Sequence, residues 1–138
     1  MNIAPSTSED LLPYELLDVQ VQTRPQAGQS LLWVQFLCSR DNQPDQKKMP
    51  PLTWFDANQL QQFVQQLTVE SHPENVQVDL PDAGLRLTST GVVDTTIRIE
   101  PLPKARGKFV PFAIKTSGMG IRRYARLLYQ RLWEAFCG

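Results

Sequence analysis

The fold is decided by residues 15–39, ELLDVQVQTRPQAGQSLLWVQFLCS. Its first part alternates, with Leu17, Val19 and Val21 on one side and Asp18, Gln20 and Gln22 on the other, the period of a half-buried strand. Pro25-Gln26-Ala27-Gly28 has turn chemistry, and residues 31–39 alternate again with Leu32, Val34, Phe36 and Cys38 inward. The two runs predict an antiparallel hairpin.

Residues 40–51, downstream of the hairpin, are polar and bounded by prolines, the pattern of a surface loop. Thr53-Trp54-Phe55-Asp56 then reads as a capping pattern in which Asp56 stands in for the usual Glu. Ala57, Leu60, Phe63, Val64 and Leu67 follow at helical spacing. Trp54 and Phe55 fall off that stripe, where first-turn aromatics are expected to staple the incoming chain. Residues 76–80 and 85–87 alternate around the turn Pro81-Asp82-Ala83-Gly84, a second hairpin. Val93, Thr95, Ile97 and Ile99 mark a further strand, and residues 108–116 another. Pro111 cannot donate to a ladder, so this last strand is expected at a sheet edge or with a bulge. Ser117 caps a helix from about Met119 to Phe136.

The order is ββ-α-ββββ-α, and short connections among the last four strands favour a meander. The predicted architecture is an α+β domain, a curled and mostly antiparallel sheet packed by two helices. Residues 1–12 are polar and unpatterned and are expected to be frayed or disordered, leaving residues 13–138 as the single domain.

Composition agrees with that plan. A chain of 138 residues with 41% hydrophobic content can bury a core without a metal or a disulfide framework. The eleven prolines punctuate the periodic runs and form no linker. The longest apolar run, Leu31-Leu32-Trp33-Val34, is far short of the roughly 20 residues that cross a bilayer. Residues 1–10 carry Glu9 and Asp10 and lack the features of a secretory signal. Cys38 and Cys137 are placed like reduced thiols, so a cytoplasmic location is expected.

Catalytic groups are scarce. His72 is the one histidine, in a Ser-His-Pro loop, and Cys38 projects from an apolar strand where a thiol is usually inert. One His and two distant Cys do not make a tetrahedral metal site. The carboxylate pairs Asp79/Asp82 and Asp94/Glu100 lie at a turn and on the polar face of a strand, positions that suit structural roles. Gly118-Met119-Gly120 lacks the spacing of a phosphate-cradling loop. No catalytic residue, cofactor or metal is therefore predicted.

Charge is more informative. The 14 basic and 14 acidic residues cancel overall, but residues 1–100 sum to −7 and residues 101–138 to +7. On the C-terminal helix, Ile121, Tyr124, Ala125, Leu128, Tyr129, Leu132, Ala135 and Phe136 fall in one arc of about 140°. Trp133 falls outside it, between Arg122 and Arg126, with Tyr129 at its border and Arg123 beside it. Trp and Arg are the residues most enriched at interaction hot spots. The reading is a non-catalytic binding module that contacts a protein partner through Arg122, Arg123, Arg126, Tyr129 and Trp133. The reading rests also on a glutamine-rich face of the first helix (Gln59, Gln61, Gln62, Gln65, Gln66), solvated but adaptable. Two alternatives stand beside it: nucleic-acid binding by the basic segment 104–131 through Lys104, Arg106, Lys108 and Lys115, and binding of a small apolar ligand within the curled sheet.

Overall fold

A computed structural model describes residues 12–26, 29–69, 76–91, 94–104 and 109–137. The elements are β1 (Tyr14–Gln26), β2 (Gln29–Arg40), β3 (Gln43–Lys48), α1 (Trp54–Val69), β4 (Gln77–Leu80), β5 (Leu85–Thr90), β6 (Asp94–Pro101), β7 (Phe112–Ser117) and α2 (Gly118–Cys137). They build one seven-stranded sheet in the order β3-β2-β1-β7-β6-β5-β4. Every pairing is antiparallel except β1 with β7, which is parallel and limited to Tyr14↔Ile114 and Glu15↔Lys115. The α+β architecture is thus the expected one, with one strand more than the sequence suggests.

That extra strand is β3, in the segment read as a loop. Asp41 and Asn42 both have positive φ, 53° and 63°, and link Arg40 to Gln43 as a two-residue hairpin turn of the kind Asp and Asn favour. The strand itself, QPDQKK, is almost wholly exposed at the sheet edge, where Pro44 is tolerated.

Two other expectations are corrected. Leu17 does not face the core: the β1–β2 register shifts between Leu16 and Asp18, so Leu16 is buried with Val19 while Leu17 is 50% exposed. The strand containing Pro111 is neither edge nor bulged. Pro111 lies just before β7, so no ladder bond is lost, and β7 sits centrally between β6 and β1.

Both helices pack on one face of the sheet. The stripe Ala57, Leu60, Phe63, Val64 and Leu67 and the α2 residues Leu128 and Leu132 join Leu32, Val34, Phe36, Leu85, Leu87, Ile97, Ile99 and Ile114 in a single core. The sheet is curled. Leu52 is bridged to Leu32 of β2, and the next residue, Thr53, donates its hydroxyl to Asp82 in the β4–β5 turn at 2.7 Å. On a flat sheet, β2 and β4 would stand about 24 Å apart, five strand spacings.

Asp56 holds this closure. The Thr53 hydroxyl accepts the Asp56 N–H at 3.3 Å, half of the expected capping box. The Asp56 carboxylate does not return to Thr53. It is fully buried and accepts the N–H groups of Asp82 and Ala83, at 3.3 and 2.7 Å. At the start of α1, Trp54 is 38% and Phe55 57% exposed.

At the sheet's centre β7 runs directly into α2. Beyond Glu15, β1 therefore loses its strand neighbour, and α2 takes that place: the Tyr124 hydroxyl donates to the Leu17 carbonyl at 2.8 Å and Arg131 donates to the Val19 carbonyl. Gly118, Met119 and Gly120 are already helical and form no separate loop.

Candidate functional site

The outer face of α2 follows from how its inner face is used. Leu128 and Leu132 are buried, and Tyr124, Leu127, Tyr129 and Ala135 pack partly against the core. Helical spacing then turns Arg123, Arg126 and Trp133 outward. Arg123 and Arg126 are exposed, and Trp133 is 56% exposed. Tyr129 is half-buried at the margin. The side chain of Arg122 and the whole of Arg106 and Lys108 lie outside the described residues.

The basic quarter of the chain is only partly neutralised within the fold. Arg131 turns inward and faces Asp18 at 3.6 Å while it bonds the Val19 carbonyl. The other ion pairs are Lys47–Asp45, Arg86–Asp79 and Arg98–Glu100. Among the described residues Arg123 and Arg126 have no acidic partner. Arg123 lies 6.0 Å from the centre of the Tyr124 ring, a loose cation–π contact.

Of the four residues of the nucleic-acid alternative, Lys104 and Lys115 are described. Lys115 is exposed on β7 between inward-facing Ile114 and Thr116, so it points from the sheet face opposite α2. Lys104 is exposed in the turn after β6. For the apolar-ligand alternative, the space between helices and sheet lined by Leu16, Phe36, Val64, Ile97, Tyr124 and Leu128 measures about 30 Å³, the scale of a water rather than a ligand.

The candidate chemical groups have structural partners. Asp79 binds Arg86 at 2.8 Å, and this hydrogen bond holds its carboxyl below the ordinary range. Asp82 accepts from Thr53, and Glu100 pairs with Arg98 at 2.9 Å. Cys38 is buried, which pushes its thiol pKa up, as does the nearby charge of Asp45. His72 lies outside the described residues. Among the described residues no cluster of three or more His, Cys, Asp or Glu is placed to hold a metal, and no helix is long and apolar enough to cross a membrane.

One constellation escapes the sequence reading. At the end of the sheet where β1 begins, the Tyr14 ring carries the Arg40 guanidinium 3.7 Å from its centre and the Lys47 ammonium at 4.7 Å. These groups line a groove of about 230 Å³ with Leu12, Val110, Pro111 and Phe112. A signal for it exists: Arg40 continues the inward series Leu32, Val34, Phe36, Cys38, so a cation occupies a core-facing position. Lys47 stands opposite Phe36 across the ladder and shares that face.

No protein-family model, no curated protein and no solved structure matches this chain.

Proposed function

We propose that the chain is a non-catalytic protein-binding module whose contact surface is the outer face of α2, centred on Trp133 and flanked by Arg122, Arg123, Arg126 and Tyr129. One observation carries the reading: a tryptophan 56% exposed on a helix whose other side seals the core and whose exposed Arg123 and Arg126 have no acidic partner among the described residues. An exposed indole offers a large contact area with few rotors, and unpaired guanidinium groups recognise carboxylates in a forked geometry. The partner this surface fits has an apolar recess for the indole, rimmed by Asp or Glu.

The test uses a photo-crosslinking residue in place of Gln130, an exposed position of the same helix. Irradiation in the host cell, followed by mass spectrometry, is expected to give one dominant protein adduct. Trp133→Ala and Arg126→Glu should each reduce it about tenfold or more, the loss of a hot-spot contact. Lys115→Glu, on the other sheet face, should leave it unchanged. Equal adduct yields in all variants, or adducts to nucleic acid only, would overturn the reading.

A further inference from the structure

We infer that the groove beside Tyr14 is a second binding site, one that takes the C-terminal residue of a polypeptide, its apolar side chain in the groove and its terminal carboxylate on Arg40 and Lys47. The site does not depend on the α2 surface. It lies on the helix-bearing face of the sheet, yet no residue of α1 or α2 lines it. Among the described residues no helix covers this part of the concave face, and two cations stand where apolar side chains fill the rest of it.

A stack of Arg and Lys on a tyrosine can simply finish the end of a core. Three details go further. The Arg40 Nε–H is buried and has no acceptor among the described residues, so the fold itself leaves this guanidinium incompletely satisfied. Arg40 also donates to the Leu12 carbonyl, which fixes the guanidinium and the start of β1 together, so the cation is held before any ligand arrives. The same groove is lined by Leu12 and Val110, large apolar side chains left exposed, and by Phe112, which is buried. The groove thus combines cationic and apolar lining.

Size and charge select the ligand. The groove's 230 Å³ is below the roughly 300–1,000 Å³ of clefts that enclose whole cofactors, so it suits one inserted side chain with its carboxyl group. Asp45 lies 3.7 Å from Lys47 and offsets part of the positive charge, which favours a single negative charge over a phosphate dianion. Arg40 at 3.7 Å already occupies a face of the Tyr14 ring, the place a nucleobase would stack. Within an extended peptide, neighbouring side chains point to opposite sides, so an internal acid and an adjacent apolar residue cannot both enter. A C-terminal residue carries both groups on one Cα, and capture of a terminal carboxylate is a recurring recognition mode.

The experiment is an NMR titration of the whole chain with the acetylated tetrapeptide Ser-Gly-Ser-Leu ending in a free carboxylate. Its controls are the C-terminal amide of that peptide, an acetylated Asp-Leu-Ser amide, and an oligothymidylate. The free-acid peptide should saturate below about 10 mM, with shifts centred on Tyr14, Arg40 and Phe112. The amide and the internal-acid peptide should bind about tenfold more weakly, as loss of a charge-assisted pair requires. Arg40→Gln should weaken the free-acid peptide by about tenfold and Lys47→Gln by severalfold. Should Arg40→Gln disturb the fold, Val110→Glu places a repelling charge at an exposed wall position and should give the same loss. Comparable binding of acid and amide, no saturation by the acid, shifts mapping elsewhere, or tighter binding of the oligonucleotide would each overturn the inference.

Discussion

The two helices cover the same sheet but are fastened to it differently. α1 is tied at its first turn, where the buried Asp56 carboxylate accepts two backbone N–H groups of the β4–β5 turn. α2 is tied along its length by side-chain donors, Tyr124 and Arg131, to carbonyls of the bulged strand β1. In the first case the helix supplies an anion to satisfy a turn. In the second it supplies donors to satisfy a strand edge that has lost its neighbour. The closing contact of the curled sheet is therefore concentrated at one helix turn, where Asp56 accepts two N–H groups and Asp82 accepts the Thr53 hydroxyl, whereas the α2 attachment is distributed. Mutations at the two attachments should differ in size and in pH dependence.

Asp56 is expected to give the larger effect. Asp56→Ala leaves the Asp82 and Ala83 N–H groups without their acceptor, a loss of about 2–3 kcal/mol in urea unfolding. The pH dependence has a definite sign. Burial pushes the Asp56 carboxyl pKa up, with the charge of Asp82 adding to it and the two N–H bonds opposing it. A raised folded-state pKa means the native state holds this proton more tightly than the unfolded chain. Its stabilising contribution is then full below the ordinary Asp range and is lost as pH rises through the raised value. Asp56→Asn removes this titration while keeping an acceptor oxygen. The stability difference, wild type minus Asp56→Asn, should therefore be largest in acid and shrink toward neutral pH. A difference that grows with pH would show that the hydrogen bonds, not burial, dominate this carboxyl.

Arg131 should matter less. Arg131→Met keeps the aliphatic stem against β1 but removes the donor to Val19 and the partner of Asp18. Both charged side chains are about one-third exposed (33% and 37%), so water screens the pair. A loss of about 1 kcal/mol in the same assay is expected. A loss matching that of Asp56→Ala would mean that the α2 attachment, too, is concentrated.

These contrasts mark where sequence reading succeeds. The helix stripes, both hairpins and the outward position of Trp133 follow from local period, because each depends on residues within two turns of one another. The bulge does not, since Leu16 and Leu17 are both leucine and alternation cannot say which enters the core. β3 has almost no inward apolar residue, and only the Asp41-Asn42 turn betrays it. The partners of Asp56 and Arg131 lie 26 and 27, and 112, positions away in the chain, and no period encodes such contacts. The Tyr14 groove is the intermediate case. Arg40 sits in phase with four inward residues, so the anomaly is visible in the alternation, but its meaning depends on an end of the sheet that no helix covers among the described residues.

The smallest expected effect separates the outer faces. Phe55 of α1 and Trp133 of α2 are exposed to nearly the same degree, 57% and 56%. Exposure alone does not distinguish them, and truncating either should change stability by no more than about 0.5 kcal/mol. Their surroundings do. Phe55 adjoins the buried Asp56 in the first turn, while Trp133 shares its helix with exposed Arg123 and Arg126, which have no acidic partner among the described residues. Phe55→Ala should therefore leave the crosslinked adduct at Gln130 intact, whereas Trp133→Ala should remove it, with both proteins equally folded by near-UV circular dichroism and urea midpoint. Equal loss in both variants would make exposed aromatic area the determinant. Loss only with Trp133→Ala ties recognition to the indole together with the cations of its helix.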